Sequence, residues 1–331
     1  MSNYNYSSKL NIKDTEIAIK KLKDYFERDL AEEFNLVRVS APLFVRGDSG
    51  INDNLNGVEK PVSFSIDGVN SNAEIVHSLA KWKRYALHEY GFNLYEGLYT
   101  DMNAIRKDEI LDNIHSCFVD QWDWELIIKK EDRNIKFLKE VVERIYRCLK
   151  RAETYIVSLY PILEKQLSDE ITFIKSEDLL KMYPSLSSKD REKEACKKYG
   201  SIFIIGIGKN LSNGMPHDLR SPDYDDWDLN GDILVYYKEL DIAFELSSMG
   251  IRVDKDSLVK QLKATNNLDR LNLKYQSMLE KGELPFTVGG GIGQSRMCMF
   301  FLNKKHIGEV QSSIWTDEII KECKENNIVL L

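Results

Sequence analysis

Residues Ala104 to Glu125 read A-I-R-K-D-E-I-L-D-N-I-H-S-C-F-V-D-Q-W-D-W-E, and the rest of the chain is organised around them. Arg106 and Glu109 stand three residues apart after a short apolar lead, and a polar, turn-prone segment with Asp112, Asn113 and Ser116 follows. From Phe118 to Glu125 apolar and polar residues alternate, the pattern of a strand with one wet face. The spacing predicts a hairpin: a strand carrying Arg106, a loop, and a return strand with Gln121, Asp123 and Glu125 on one face. An arginine facing convergent carboxylates and an amide can hold a phosphate at one end and a small zwitterion at the other. An ordinary salt-bridged surface hairpin uses the same residue types, so the remainder of the chain decides between them.

Composition bounds the answer. The chain has 331 residues, 43% hydrophobic and 30% charged, ordinary for a water-soluble fold and long enough to bury a substantial core. A net charge of −7 argues against generic attraction to nucleic acid. Five cysteines (Cys117, Cys148, Cys196, Cys298, Cys323) are scattered without a C-x-x-C pair, which fits reduced thiols in a cytoplasmic protein rather than a disulfide scaffold or a zinc site. The polar N-terminus shows no signal peptide, and no apolar run approaches the roughly 18 residues of a membrane span. No linker or repeat is visible, so residues 1–331 are expected to form a single domain.

Upstream of the hairpin, Leu22, Phe26, Leu30 and Phe34 mark an amphipathic helix over about 11–34. Val37, Val39 and Ala41-Pro42 read as a strand closed by proline, serving either as core or as a dimer seam. Arg46 to Gly57 is rich in glycine and asparagine, a loop in which Asp48 is a turn former. Val62 to Ile66 alternates as a strand before a turn at Asp67-Gly68. Leu79, Trp82 and Leu87 give the next segment a helical apolar face with Ser78 at the N-cap, and Lys81 and Arg84 are expected on a solvated face.

Downstream, Ile135 to Ile156 keeps helical spacing over roughly 132–160, punctuated by Pro161, and a shorter helical region precedes Ser201. Ile202 to Ile207 is a continuous apolar run, a strand buried on both faces. Residues 209–231, with Asp218, Asp223, Asp225, Asp226 and Asp228, read as an irregular acidic segment: a solvated loop, or a lid over cations. Strands over Ile233–Tyr237 and Ala243–Leu246 follow, Asp232 just before the first and Glu245 within the second, and helical patterns fill 256–281. Finally G-G-G-I-G-Q-S-R (289–296) leads into an apolar helix with Arg296 in its first turn. It has neither the Lys-Ser/Thr of a Walker loop nor the unit of a dinucleotide fingerprint, yet it suits an anionic phosphate tail.

Taken in order, Arg-x-x-Glu, loop, Phe-x-x-Gln-x-Asp-x-Glu, acidic strands and a Gly-rich, Arg-bearing helix resemble the class II aminoacyl-tRNA synthetase core. Ser78 and Lys83 are spaced as in its aspartyl and asparaginyl group, and E-L-S-S-M-G-I-R (245–252) is similar to that group's Glu-Leu-x-x-Gly-x-x-Arg. About 40 residues precede Pro42, too few for an anticodon-reading barrel. The blocks H-S-L-A-K-W-K-R, D-Q-W-D-W-E, S-P-D-Y-D-D-W and F-E-L-S-S-M-G-I-R-V look like those of the ammonia-dependent asparagine synthetases, over essentially the whole chain.

That resemblance implies an α+β fold, an antiparallel sheet flanked by helices, and asparagine synthesis from L-aspartate, ammonia and ATP through β-aspartyl-AMP. It implies Arg106 on the α-phosphate, Arg296 on the γ-phosphate, Glu109 on the adenine amino group, and Gly291 and Gly293 beside the nucleotide. Asp232 and Glu245 would hold Mg²⁺. Ser78, Lys83, Gln121, Asp123 and Arg252 would bind aspartate, with Asp53 binding substrate or deprotonating ammonium. His77 and His115 are expected to be structural. A cytoplasmic homodimer with no nucleic-acid or membrane partner completes the expectation. The rivals are an aspartate-activating ligase with another amine acceptor and a non-catalytic binding paralogue.

Overall fold

The structure, a computed structural model, describes residues 6–53 and 59–331. The end of the predicted glycine- and asparagine-rich loop, beyond Asp53, lies outside the described residues. In chain order the elements begin with α1 (Ile12–Phe34), β1 (Leu36–Arg38), β2 (Phe44–Arg46), β3 (Ser63–Phe64), β4 (Ala73–Ile75) and α2 (Ala80–Glu89). The predicted hairpin is β5 (Gly97–Ile105) and β6 (Phe118–Ile127), with Arg106 just past the end of β5 rather than within the strand as expected; α3 (Ile135–Leu159), β7 (Thr172–Lys175), α4 (Ser176–Met182), α5 (Ser188–Tyr199) and β8 (Ser201–Ile205) follow. Long strands β9 (Asp225–Tyr237) and β10 (Ile242–Arg252) precede α6 (Lys255–Ala264) and α7 (Lys274–Glu280). The chain closes with β11 (Thr287–Gly293), α8 (Gln294–Phe301) and α9 (Asp317–Glu325).

Eight strands form one sheet in the order β1-β5-β6-β11-β10-β9-β8-β7. Its six central strands pair antiparallel, and only the outermost pairings, β1 with β5 and β7 with β8, are parallel. Strands β2, β4 and β3 make a small separate sheet. The predicted α+β class holds, with parallel pairing confined to the two edges.

Alternation in β6 explains the layering. Trp122 and Trp124 project to one face and are fully buried, Trp122 against Phe26 of α1 (ring centroids 4.9 Å) and Trp124 against Phe34 (5.3 Å). The four-residue spacing of Leu22, Phe26, Leu30 and Phe34 exists to present this stripe, and all four are buried. Asn11 caps α1 by accepting from the Asp14 N–H at 2.9 Å, and Asn35 ends it in the left-handed region. Helix α3 lies alongside, with Tyr25 stacked on Tyr155 at 4.3 Å. Truncating either tryptophan would cost about 3–5 kcal/mol.

The opposite face of β6 is not wet. Asp123 is 2% exposed and Glu125 0%, because α2 covers that face and meets them with cations. Lys81, Lys83 and Arg84 are all buried, which overturns the solvated face expected for Lys81 and Arg84. Arg84 donates to the Pro285 carbonyl (2.8 Å) and the Val253 carbonyl (2.7 Å), tying α2 to the segments just before β11 and just after β10. Lys81 pairs with Asp223 at 3.4 Å. The N-cap of α2 is Leu79, not Ser78; the Ser78 hydroxyl still accepts from the Ala80 N–H (3.3 Å) and donates to Asp53 (3.1 Å).

Residues 209–231 also differ from expectation. Strand β9 begins at Asp225, so the irregular part ends seven residues earlier, and Asp223, Asp225 and Asp226 are buried rather than solvated. Asp232 consequently lies inside a strand, and β10 runs on to Arg252. The glycine run is likewise strand: Gly289, Gly290, Gly291 and Gly293 sit in β11 between β6 and β10. The reason for glycine there is space. A Cβ on Gly290 would strike Met249 (2.6 Å from its Cβ), and one on Gly291 would lie 2.8 Å from Asp123 Oδ1.

Candidate active site

The covered polar face encloses a cavity of about 450 Å³ lined by β6, β10, β11, the start of α8, α2 and the loops before β6 and β9. Strand register orders its chemistry. Glu125 faces Gly289, Asp123 faces Gly291 and Gln121 faces Gly293, two residues per step along β6. Arg252, at the end of β10, marks the Glu125 end, whereas Arg106, directly after β5, and Arg296, in the first turn of α8, mark the Gln121 end.

At the first end the charges interlock. Lys83 Nζ donates to the Gly290 carbonyl (2.8 Å) and lies 3.2 Å from Asp123 Oδ2 and 4.0 Å from Glu125. Burial holds the Lys83 ammonium below its usual pKa, against the pull of Asp123. Arg252 grips Glu125 through Nε (2.9 Å) and Nη2 (2.7 Å) and also bonds Asp225. Burial pushes the Glu125 carboxyl up, but Arg252, Lys83 and the Thr287 hydroxyl (2.7 Å) together hold it below the carboxylate range. Among the described residues, Asp123 Oδ1 has no hydrogen-bond partner although it is buried and borders the cavity.

The other end is cationic. Arg296, Arg220, Lys189 and Arg106 all act on Glu245, holding its carboxyl low against burial. Arg296 Nη1 is 3.7 Å from Glu245 Oε2. Arg106 donates to the His77 carbonyl at 3.4 Å, and its Nε has no partner among the described residues. Asp53 is buried beside Ser78; burial pushes its carboxyl above the ordinary range, with Lys81 opposing.

All the residues predicted for the site border this cavity except Asp232. Asp232 is covered by Arg220, whose guanidinium bonds both its carboxylate oxygens. Burial pushes Asp232 up to about 6, with Arg220 opposing and Glu245 adding to the rise. Asp232 and Glu245 sit on paired strands and repel one another, and no group of three or more metal-type ligands occurs among the described residues. Two carboxylates and no nitrogen or sulfur donor suit Mg²⁺, which takes few protein oxygens and completes its shell with phosphate and water. His115 pairs with Asp112 (2.9 Å) while its ring borders the cavity; His77 is buried, with its ring Nδ1 unpartnered among the described residues.

Sequence reasoning missed Arg220, Lys189, Tyr224 and Asp225 as cavity residues. For Arg220 a signal existed: apart from Lys209 it is the only cation in the acidic stretch 209–231.

With this geometry in place, similarity can be assessed. A family model described as aspartate–ammonia ligase matches residues 13–327. An aspartate–ammonia ligase of Clostridium perfringens is 60% identical over 327 residues, covering 98% of this chain and 97% of that one. One from Fusobacterium nucleatum is 59% identical over 326 residues, covering 98% and 99%. Among solved structures, the asparaginyl-tRNA synthetase of Pyrococcus horikoshii complexed with asparaginyl-adenylate superposes with TM-score 0.65 at 15% identity, over 90% of this chain and 68% of that one. That last likeness establishes the fold alone.

Proposed function

Because the chain belongs to the aspartate–ammonia ligase family, we propose that its cavity activates the side-chain carboxylate of L-aspartate as β-aspartyl-AMP before ammonia attacks. The enzyme is a carbon–nitrogen ligase that makes L-asparagine from L-aspartate and ammonia with ATP. The observation carrying the adenylate reading is the polarity of the cavity: a buried carboxylate oxygen on Asp123 awaiting a donor at one end, and four converging cations at the other. A substrate ammonium satisfies the first and a polyphosphate the second.

In the first step a side-chain carboxylate oxygen of aspartate attacks the α-phosphorus, and the bond to the β-phosphate oxygen breaks to release pyrophosphate. Asp123 Oδ1, with Gln121, receives the substrate ammonium; Lys83 and Arg252 hold its carboxylates, with Ser78 alongside. Arg106 offers its Nε, which has no partner among the described residues, to charge developing on the α-phosphate, the kind of stabilisation that dominates such transfers. Arg296 holds the γ-phosphate, Glu109 orients the adenine amino group, and the bare Gly291 and Gly293 leave room for the nucleotide. Asp232 and Glu245 would hold Mg²⁺, which neutralises phosphate charge when bound.

In the second step ammonia attacks the acyl carbon and AMP leaves. Ammonium must first lose a proton, and Asp53, its affinity for protons raised by burial, would accept it. Further parts of the reading are a single catalytic domain, a cytoplasmic setting and a homodimer. The dimer reading is supported by exposed apolar residues flanking Pro42: Val37 (56% exposed) in edge strand β1, and Leu43 (49%) and Phe44 (44%) at the start of β2. No helix among the described residues is long and apolar enough to cross a membrane.

One incubation tests the route: protein, ATP, Mg²⁺, L-aspartate and ammonium, with asparagine, AMP, ADP and pyrophosphate quantified. Asparagine with equal AMP and pyrophosphate is expected. ADP in place of AMP would replace the adenylate with an acyl phosphate and remove the role given to Arg106.

A further inference from the structure

We propose that Arg220 is a tethered counter-ion that occupies the Asp232–Glu245 pair in the nucleotide-free enzyme and surrenders it to a divalent cation only when nucleotide phosphates take over the guanidinium. The proposal rests on the reading of Asp232 and Glu245 as cation ligands.

Two carboxylates on adjacent strands, Asp232 buried and Glu245 partly exposed to the cavity, repel each other and need a positive partner. Arg220 is that partner. Its guanidinium bonds both oxygens of Asp232, pulls on Glu245, and is 16% exposed. The two acids are carried by strands whose backbone is fixed in the sheet ladder, whereas Arg220 comes from the irregular stretch before β9.

That stretch is pinned on either side of Arg220. His217 is buried with Nε2 3.0 Å from Glu192 of α5, and Ser221 donates to Asp223 at 2.8 Å while its carbonyl accepts from Trp227 Nε1 at 3.3 Å. Between the pins lie Asp218, whose carboxylate is 3.9 Å from Lys189, then Leu219, which is 54% exposed, and Arg220. The guanidinium therefore pivots over the cavity mouth without unfolding the segment. It shares that space with Lys189, Arg106 and Arg296, the cations that face the phosphates.

The consequence is coupling. A free cation must displace a covalently attached competitor, whereas a nucleotide offers that competitor a new anionic partner and so lowers the barrier to cation binding. By reciprocity the cation strengthens nucleotide binding equally.

The test is Mn²⁺ binding, followed by electron paramagnetic resonance on the full-length protein at pH 8, without nucleotide and with a non-cleavable α,β-methylene ATP analogue. Arg220→Met is expected to tighten nucleotide-free Mn²⁺ binding at least tenfold, and adding Asp232→Asn to that variant is expected to erase the gain. A merely structural role would weaken binding, not strengthen it. Arg220→Gln serves as the second variant, with thermal melting to confirm folding of each. If Asp232→Asn alone leaves Mn²⁺ binding in the analogue complex unchanged, the cation-ligand reading fails and takes the proposal with it. If Asp232→Asn weakens that binding but neither Arg220 variant tightens the nucleotide-free site, the counter-ion proposal alone is overturned.

Discussion

Gly289 of β11 stands directly across from Glu125 of β6, and the missing side chain of the first is the space occupied by the carboxylate of the second. A Cβ at 289 would fall within that carboxylate and lie 2.6 Å from the Trp124 carbonyl oxygen. Since Glu125 holds Arg252, a glycine with ordinary strand dihedrals positions a guanidinium at the end of the neighbouring strand.

Gly289→Ala therefore acts at a distance. The Glu125 carboxylate must shift, and the Trp124 backbone cannot, so we expect a loss of about 2–3 kcal/mol of stability. The KM for aspartate should rise at least tenfold while the KM for ATP moves little. Urea unfolding and a two-substrate steady-state analysis check this; an unchanged aspartate KM would detach Glu125 from the substrate end.

Arg252→Lys keeps the charge and removes the fork. A single ammonium cannot bond Glu125 through two atoms and still reach Asp225. The expected loss is about 3 kcal/mol or more, because buried carboxylates are left uncompensated. Aspartate binding measured by calorimetry should be lost before nucleotide binding is.

Asp123→Asn and Arg106→Gln should separate the two ends of the cavity. The asparagine variant removes the negative charge facing the substrate ammonium and should raise the aspartate KM by about 10–100-fold, since it removes a charged hydrogen bond. The glutamine variant removes charge at the phosphate and should lower kcat by about 10²–10³-fold. Pre-steady-state release of pyrophosphate distinguishes them; equal effects on both parameters in both variants would refute the division.

Arg84 is a structural cation. Arg84→Ala orphans the Val253 and Pro285 carbonyls and opens a void under α2, so a loss of about 3 kcal/mol is expected. Lys136→Ala, removing an 88% exposed partner of Glu140, should change stability by less than about 0.5 kcal/mol. Chemical denaturation of the two side by side checks the contrast.

His306 sets a pH dependence. Burial against Trp315 lowers its pKa to about 4 from the usual 6.5, and its Nδ1 accepts the Gly308 N–H at 3.0 Å. Between those values the unfolded chain binds a proton the folded chain does not, so stability rises with pH across the window and is lost as pH falls from about 6.5 to 4. The slope from this residue is at most about 1.4 kcal/mol per pH unit. His306→Asn retains an acceptor and cannot titrate; its unfolding free energy should be flatter over the same window, and an unchanged slope would exclude His306 as the source.

Periodicity alone determined α1, α3 and the return strand β6, since the side-chain periods of helix and strand are properties of the local backbone. The motif residues Arg106, Asp123, Arg252 and Arg296 were legible because their order along the chain matches a family pattern, and all four reach one cavity. The fate of charge was not legible. Lys81 and Arg84 read as a solvated face, yet their partners are Asp223 and the Val253 and Pro285 carbonyls, all more than a hundred residues away. Glu125 likewise read as surface until Arg252 and Thr287 closed over it. Whether a charge is buried depends on what is opposite it in space. Sequence spacing specifies the face a residue occupies on its own element, and only the packing of one element on another supplies the partner that makes burial stable.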